Sequence, residues 1–363
     1  MVEIRADLLP DDGRFGSGPS KVRIAQVESL KTAPFGTSHR QQPVKMLVGE
    51  IRSALSELFA LPDGYEVLLG NGGASALWDA IPFNLVNSHA HAAVIGEFSG
   101  KAARALQRAP WLKETDVLET APGSVVVNQE AEHIDSYLYA HNETSTGAMS
   151  PLARYGNENA LTIVDGTSIA GGALFDAAAV DFYYFSPQKC FGADGGLWFA
   201  FASPAAIERI ERHCTERWVP DFLNLSMALD NSRKDQTLNT PAISTLALMQ
   251  NQLAWMLDQG GIAAMAQRCR NSSGYLYKWA EENPLANPYI REEKYRSPVV
   301  VTIDFDDSVD TKKISAKLRE HGIVDIDPYR SLGRNQFRIA TFPSVEKSDI
   351  EALVACLELL INN

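Results

Sequence analysis

Two rhythms of apolar residues alternate along this chain. Val44, Leu47, Val48, Ile51, Leu55, Leu58 and Phe59 recur at helical spacing, and Pro43 suits the first turn of the helix they predict. Shorter apolar runs lie at residues 66–69, 92–96 and 137–140, and further runs end at Asp165, near Ser186 and near Ala202. Helical stretches at 74–86 and 101–108 separate the first of them. Short β-prone runs without alternation predict buried strands, and their interleaving with helices predicts βαβ units in a mainly parallel α/β sheet. Beyond Ala242 two long helical stretches run to about residues 259 and 282, followed by strand, helix, strand, strand and helix at 298–305, 309–320, 323–326, 337–340 and 347–360. The expectation is a large domain over 15–255 and a smaller α+β domain over 256–363, joined by residues 1–14.

The run Leu161-Thr-Ile-Val-Asp165 stops at a carboxylate, and Asp181-Phe-Tyr-Tyr-Phe-Ser-Pro-Gln-Lys189 stops at an amine. Most lysines are solvated surface residues. Lys189, however, sits between that run and a glycine-rich loop leading into the apolar stretch Leu197–Ala202. A buried amine is costly unless the site uses it. A lysine and an acid at neighbouring strand ends form the pair that pyridoxal phosphate needs: the amine joins the cofactor as a Schiff base, and the carboxylate keeps the pyridine nitrogen protonated.

Gly70-Asn-Gly-Gly-Ala-Ser75 lies between a strand and a helix, where backbone amides and the helix dipole make an anion site. It loosely echoes a dinucleotide fingerprint, with Glu97 ending the next strand, but Ser75 stands where the third small residue belongs. A phosphate cup for a mononucleotide-sized cofactor fits equally, and a structural turn is the bland reading. Phe98 comes just after a strand end, where an aromatic can stack on a flat ring or simply fill core. His141-Asn-Glu-Thr144 leaves a strand with polar groups for the same sheet edge, or for capping a loop. Thr240 reads as the N-cap of a long helix with Pro241 at its first position. His39-Arg40 and Tyr329-Arg330…Arg334…Arg338 supply cations suited to carboxylates or phosphate, although each arginine alone is ordinarily a solvated one.

With 45% hydrophobic and 21% charged residues among 363, the chain has the composition of a globular protein. A formal charge of −12 argues against nucleic acid or an anionic membrane as partner, so an anionic substrate must meet a local cationic cluster. The beginning of the chain shows no secretory pattern and no apolar stretch approaches membrane-spanning length. Cys190, Cys214, Cys269 and Cys356 fall in no metal or redox spacing, which predicts a reducing cytoplasm and no metal.

Taken together, Ser-His-Arg40, Gly-Gly-Ala-Ser75, Asn-Glu-Thr144, Val-Asp165, Gln-Lys189 and Asn-Thr240 resemble, in this order, the phosphoserine aminotransferases of the class V pyridoxal-phosphate enzymes, in an actinobacterial-type version. The resemblance runs from Gly16-Ser-Gly-Pro19 to the arginine-bearing C-terminal part. It implies the fold type I aminotransferase architecture, a mainly parallel seven-stranded sheet with a smaller C-terminal α+β domain. It implies that Lys189 carries pyridoxal 5′-phosphate and moves the proton, and that Asp165 pairs with the ring nitrogen. Phe98 would stack on the ring, while Thr144 and Gln188 would contact the cofactor. Ala74 and Ser75 would bind the cofactor phosphate, with Asn239 and Thr240 arriving from the partner subunit of a homodimer. Arg338 would hold the substrate α-carboxylate; His39, Arg40 and Arg330 would hold the distal phosphate or carboxylate. The implied reaction moves an amino group from L-glutamate to 3-phosphohydroxypyruvate in serine biosynthesis.

Two positions depart from the family pattern. Tyr329 stands where relatives often have histidine, and Cys190 where they often have asparagine. Among rivals, a cysteine desulfurase lacks a suitable loop cysteine, and an alanine- or serine-glyoxylate aminotransferase needs no distal anion clamp. A nicotinamide dehydrogenase leaves Lys189 and Asp165 unexplained.

Overall fold

A computed structural model describes residues 2–362. The first half of the chain runs through helices α1 (Ile24–Ser29) and α2 (Gln42–Leu58), strand β1 (Glu66–Asn71), helix α3 (Gly73–Asn84), strand β2 (Ala90–Val94) and helix α4 (Glu97–Gln107). Next come strands β3 (Asp116–Glu119) and β4 (Ser136–Ala140), the short pair β5 (Asn142–Glu143) and β6 (Ala148–Met149), then β7 (Leu161–Asp165), β8 (Phe182–Phe185) and β9 (Leu197–Ala202). Helices α5 (Pro204–Glu216), α6 (Leu225–Ser232), α7 (Ile243–Asp258) and α8 (Gly261–Glu282) lead into β10 (Ala286–Pro288), β11 (Val300–Phe305), α9 (Thr311–Glu320), β12 (Gln336–Ala340) and α10 (Lys347–Ile361).

The main sheet has seven strands in the order β1-β9-β8-β7-β4-β2-β3. Its pairs are parallel except at β9, which runs antiparallel to both neighbours. Strands β2, β4, β7, β8 and β9 are buried at every position, which is why they read as continuous apolar runs. Helices cover both faces. Leu47, Val48, Ile51 and Leu55 of α2 pack with Phe185, Phe199 and Phe201 on one side, and Leu77, Ala80 and Ile81 of α3 pack with Phe182 and Tyr184 on the other. A second sheet, β10-β11-β12, is antiparallel and forms a separate core with α8, α9 and α10.

Several local expectations need correction. The stretch 323–326 is not a strand: residues Gly13 and Phe15 exchange hydrogen bonds with Val324, and Phe15 also accepts from the Ala340 amide, so the N-terminal segment occupies the ladder. Helix α7 begins at Ile243 with Ala242 as its cap, so Thr240 is not the N-cap. Phe98 lies in the first turn of α4 rather than at the strand end. The reason is a tertiary cap. Glu143, buried and far along the chain, accepts from the Phe98 and Ser99 amides at 3.1 and 3.0 Å and so starts the helix early.

Candidate active site

Parallel strands point their C-terminal ends, and the loops beyond them, to one edge of a sheet. Here β1, β2, β4, β7 and β8 end around a cavity of about 400 Å³ lined by Ala74, Ser75, Phe98, Thr144, Asp165, Gln188 and Lys189, among others. Seven of the residues expected at the site therefore meet in one place.

Lys189 is buried, and its Nζ donates to the Ser17 carbonyl at 2.6 Å. Burial, reinforced by the Arg338 charge, pushes its ammonium down to about 8, against smaller opposing effects of Asp165 and Glu143. Gly18 makes room for it: a β-carbon there would stand 2.0 Å from Nζ, at a φ of +144°. The Phe98 ring lies 5.9 Å from Nζ, centroid to nitrogen, forming a flat wall.

Asp165 accepts from the Thr167 amide at 2.9 Å and from the Trp78 indole at 3.3 Å. Burial raises its carboxyl, while those donors work in the opposite direction. Trp78 carries no signal in the sequence that would mark it for the site. It lies three residues beyond Ser75, one turn along α3, so the helix that opens the anion site also reaches the carboxylate. That opening is shaped by Gly72, at a φ of +112°, whose β-carbon would meet Ala76 at 2.7 Å. Ser186 caps the turn by accepting from the Ala74 amide at 3.2 Å.

Arg338 on β12 donates to the Thr144 carbonyl at 3.1 Å, and its guanidinium stands 5.3 Å from the Tyr329 ring. The same ring meets Phe98 edge-on at 5.7 Å, so Tyr329 links the cavity wall to the arginine. Arg330 is exposed on the adjoining loop. Arg334 points elsewhere, forming an ion pair with Asp304. Cys190 is packed away from solvent, with its thiol donating to the Ser168 carbonyl at 3.3 Å.

His39, Arg40, Asn239 and Thr240 do not line this cavity. They gather beside the end of β1: Asn71 donates to the Thr240 carbonyl at 3.1 Å, and the Thr240 hydroxyl meets His39 Nδ1 at 3.4 Å. Arg40 donates to Asn231 at 2.9 Å and to Gln236.

The cavity matches a pyridoxal-phosphate site in its donor chemistry. Gln188 Oε1 and Asn142 Oδ1 are buried in its wall without a hydrogen-bond partner among the described residues. Buried polar atoms of that kind call for a polar occupant. They accompany a low-pKa amine, a carboxylate with fixed donors and an open helix start.

Comparison with known proteins agrees. The family description "Aminotransferase class-V" matches residues 26–325. A phosphoserine aminotransferase from Nocardioides sp. is 48% identical over 369 aligned positions, covering 100% of this chain and 99% of its own. A phosphoserine aminotransferase structure from Cytophaga hutchinsonii superimposes with a TM-score of 0.88 at 23% identity, covering 96% of this chain and 99% of its own. One from Trichomonas vaginalis, described as PLP-bound, gives 0.82 at 20% identity, covering 96% and 98%. The chain thus belongs to the class V aminotransferases, enzymes that work with pyridoxal phosphate. Within that class it falls among the phosphoserine aminotransferases.

Proposed function

We propose that this chain moves the amino group of L-glutamate to 3-phosphohydroxypyruvate, giving O-phospho-L-serine and 2-oxoglutarate, at the cavity around Lys189. The observation that carries the assignment to this cavity is the pairing of a buried amine of lowered pKa, in the turn just beyond β8, with a carboxylate held by the Thr167 and Trp78 donors at the end of β7, on one cavity wall. Pyridoxal phosphate, when bound, supplies an electron sink and carries the amino group between the two half-reactions.

The chain's own residues do the rest. Lys189 would hold the cofactor, and its free amine would take and return the proton of the substrate α-carbon. An ammonium titrating near 8 is close enough to neutrality to do both. Asp165 would hold a proton on the ring nitrogen, and the Thr167 and Trp78 donors fix the direction of its carboxylate. Phe98 would stack on the ring of the bound cofactor. The start of α3 at Ala74 and Ser75 receives the phosphate, Gln188 and Thr144 offer polar contacts along the wall, and Arg338 receives the α-carboxylate.

His39, Arg40, Asn239 and Thr240 are proposed to act across a homodimer, completing the neighbour's site. Their position outside this chain's own cavity supports that reading, as do the exposed Trp218 and Phe222, the latter touching the space above Gly72. Arg330, exposed on its loop, is proposed to serve with His39 and Arg40 as a distal-anion ligand. The division into units at residue 255 is part of the same reading, supported by a core that joins Ile4 to residues of α8, β11, β12 and α10. The compartment we propose is the cytoplasm: the four cysteines are free, and no helix among the described residues is long and apolar enough to cross a membrane.

The test is a visible spectrum of the purified protein taken before and after L-glutamate, then after 3-phosphohydroxypyruvate. The expected result is a cofactor band that bleaches with the amino donor and returns with the phosphorylated keto acid. A band indifferent to both compounds sinks the substrate assignment.

A further inference from the structure

The opposite edge of the main sheet carries a second constellation. Strands β2, β3 and β4 are parallel, so their starting ends share an edge, five residues of β2 or β4 away from the cavity. At about 3.3 Å per residue that is roughly 16 Å. His89 immediately precedes β2, Asp116 opens β3, and His133 lies three residues before β4. No local spacing joins these three residues, and only the parallel register brings them together. His89 Nε2 lies 3.2 Å from Asp116 Oδ1, and His133 Nε2 lies 3.2 Å from Asp116 Oδ2. The two imidazole centroids are 4.7 Å apart, and one ligand atom from each residue falls within 4.8 Å of the others.

We propose that His89, Asp116 and His133 form a binding site for a divalent transition-metal ion of the zinc class. Two imidazoles and one carboxylate are the donor set that suits Zn²⁺, Co²⁺ and Ni²⁺ rather than Mg²⁺ or Ca²⁺. With metal–ligand bonds near 2.0–2.1 Å, donors of a tetrahedral site stand roughly 3.3 Å apart, close to both histidine–carboxylate separations here. The alternative is a hydrogen-bonded surface triad in which Asp116 bridges two imidazoles.

The supporting scaffold favours a site that closes with little movement. Asp135, two residues beyond His133, accepts from the amides of Asn87, Ser88 and His89 at 2.9, 2.7 and 2.8 Å. Its own amide donates to the His89 carbonyl at 3.0 Å, so the segments carrying the two histidines are braced to each other. Arg209, itself buried, donates to the Asp135 carbonyl at 2.9 Å and fixes that brace from behind. His89 and Asp116 line an open cleft of about 720 Å³ with Glu114 and Glu130 on its wall, and His133 is exposed, leaving solvent access for the remaining coordination positions. Three ligands with open positions leave room for water or a further donor. Bound metal would tie together the entries to three strands, one of them the edge strand β3.

The experiment uses the holoenzyme with its cofactor bound, stripped of metal and titrated with Zn²⁺ by calorimetry, with thermal unfolding recorded alongside. The expected result is one equivalent bound per chain and a rise in Tm. In His133→Ala and Asp116→Asn, affinity should fall at least about 10-fold, because deleting a direct ligand costs no less than deleting its supporting partner. Glu130→Gln, on the cleft wall but outside the triad, should bind as the wild type does. Transamination without metal should be unchanged in His133→Ala, since the triad lies at the opposite sheet edge, and this also verifies its fold. Absence of binding to the wild type overturns the proposal. So does binding that survives both triad variants, since it would place the ion elsewhere, for example at the half-buried Cys214.

Discussion

Gly18 and Lys189 are packed so closely that a single methyl group cannot be placed between them: a β-carbon on residue 18 would lie 2.0 Å from Nζ and 2.6 Å from Cε. The glycine also holds a φ of +144°, which an L side chain resists. Gly18→Ala should therefore displace the amine rather than unfold the chain. Misplacing a reacting group by about 1 Å costs on the order of 100-fold in rate. A loss of at least that size in turnover is expected, with a weaker cofactor band and a Tm within a few degrees of wild type. Steady-state kinetics and the spectrum check it, and full activity in this variant would show that the lysine has freedom the packing denies.

Burial at Lys189 should also be visible in stability. The folded-state pKa, about 8, lies below the ordinary lysine value of 10.5. The unfolded chain therefore holds more protons between these values, and the stability of the cofactor-free protein rises with pH across that window. Below about pH 8 the full cost of the buried amine is present. Lys189→Met removes the titration. In the cofactor-free state it should be more stable than wild type at neutral pH, by about 1–3 kcal/mol once the lost Ser17 hydrogen bond is set against the gain. The margin should shrink as pH approaches 10.5. Denaturant melts of the two cofactor-free proteins at pH 7 and pH 10 measure the difference. Transamination by the variant should be abolished.

Trp78 gives a narrower test of Asp165. The indole donates to one carboxylate oxygen at 3.3 Å while the Thr167 amide serves the other. Trp78→Phe keeps the ring's bulk and removes the donor. Hydrogen bonds to charged groups contribute about 1.5–3 kcal/mol, so cofactor affinity should weaken by roughly 10- to 100-fold. Equilibrium dialysis against pyridoxal phosphate reads this directly. Unchanged affinity would mean that the indole contact plays no part in orienting the carboxylate.

How much of this is legible in the chain depends on where the determining contact lies. Asp165 ends the fully buried β7 and Lys189 follows the fully buried β8 by four residues, and an apolar run that leads to a charge is a local signal. Strand β3 gives no such signal, because an edge strand of three half-buried residues and an exposed one, Asp-Val-Leu-Glu, carries neither alternation nor a long apolar run. The start of α4 cannot be read locally because its cap is Glu143, more than forty residues away. Thr240 has the composition of a cap, yet Pro241 lies outside the helix, Ala242 stays extended and the helix starts later. Helices α5 and α6 likewise lie outside the sequence expectation. The grouping of His89, Asp116 and His133 depends on the register of three parallel strands, which no local pattern encodes.

The two arginine groups should separate kinetically. Arg338 is part-buried, fixed by the Thr144 carbonyl and Tyr329, and under the proposed function it receives the α-carboxylate that both substrates carry. Arg338→Ala should therefore raise KM for L-glutamate and for 3-phosphohydroxypyruvate together; losing a charge-assisted contact of about 1.5–3 kcal/mol corresponds to roughly 10- to 100-fold for each. Arg40 lies outside the cavity, held by Asn231 and Gln236. Arg40→Ala should leave cofactor content unchanged and weaken the doubly charged phosphorylated substrate more than glutamate, because a phosphate leans harder on a distal cation. Measuring both KM values in both variants decides the matter. Equal affinity for 3-phosphohydroxypyruvate in Arg40→Ala would remove that residue from the distal clamp and leave the task to His39 and Arg330.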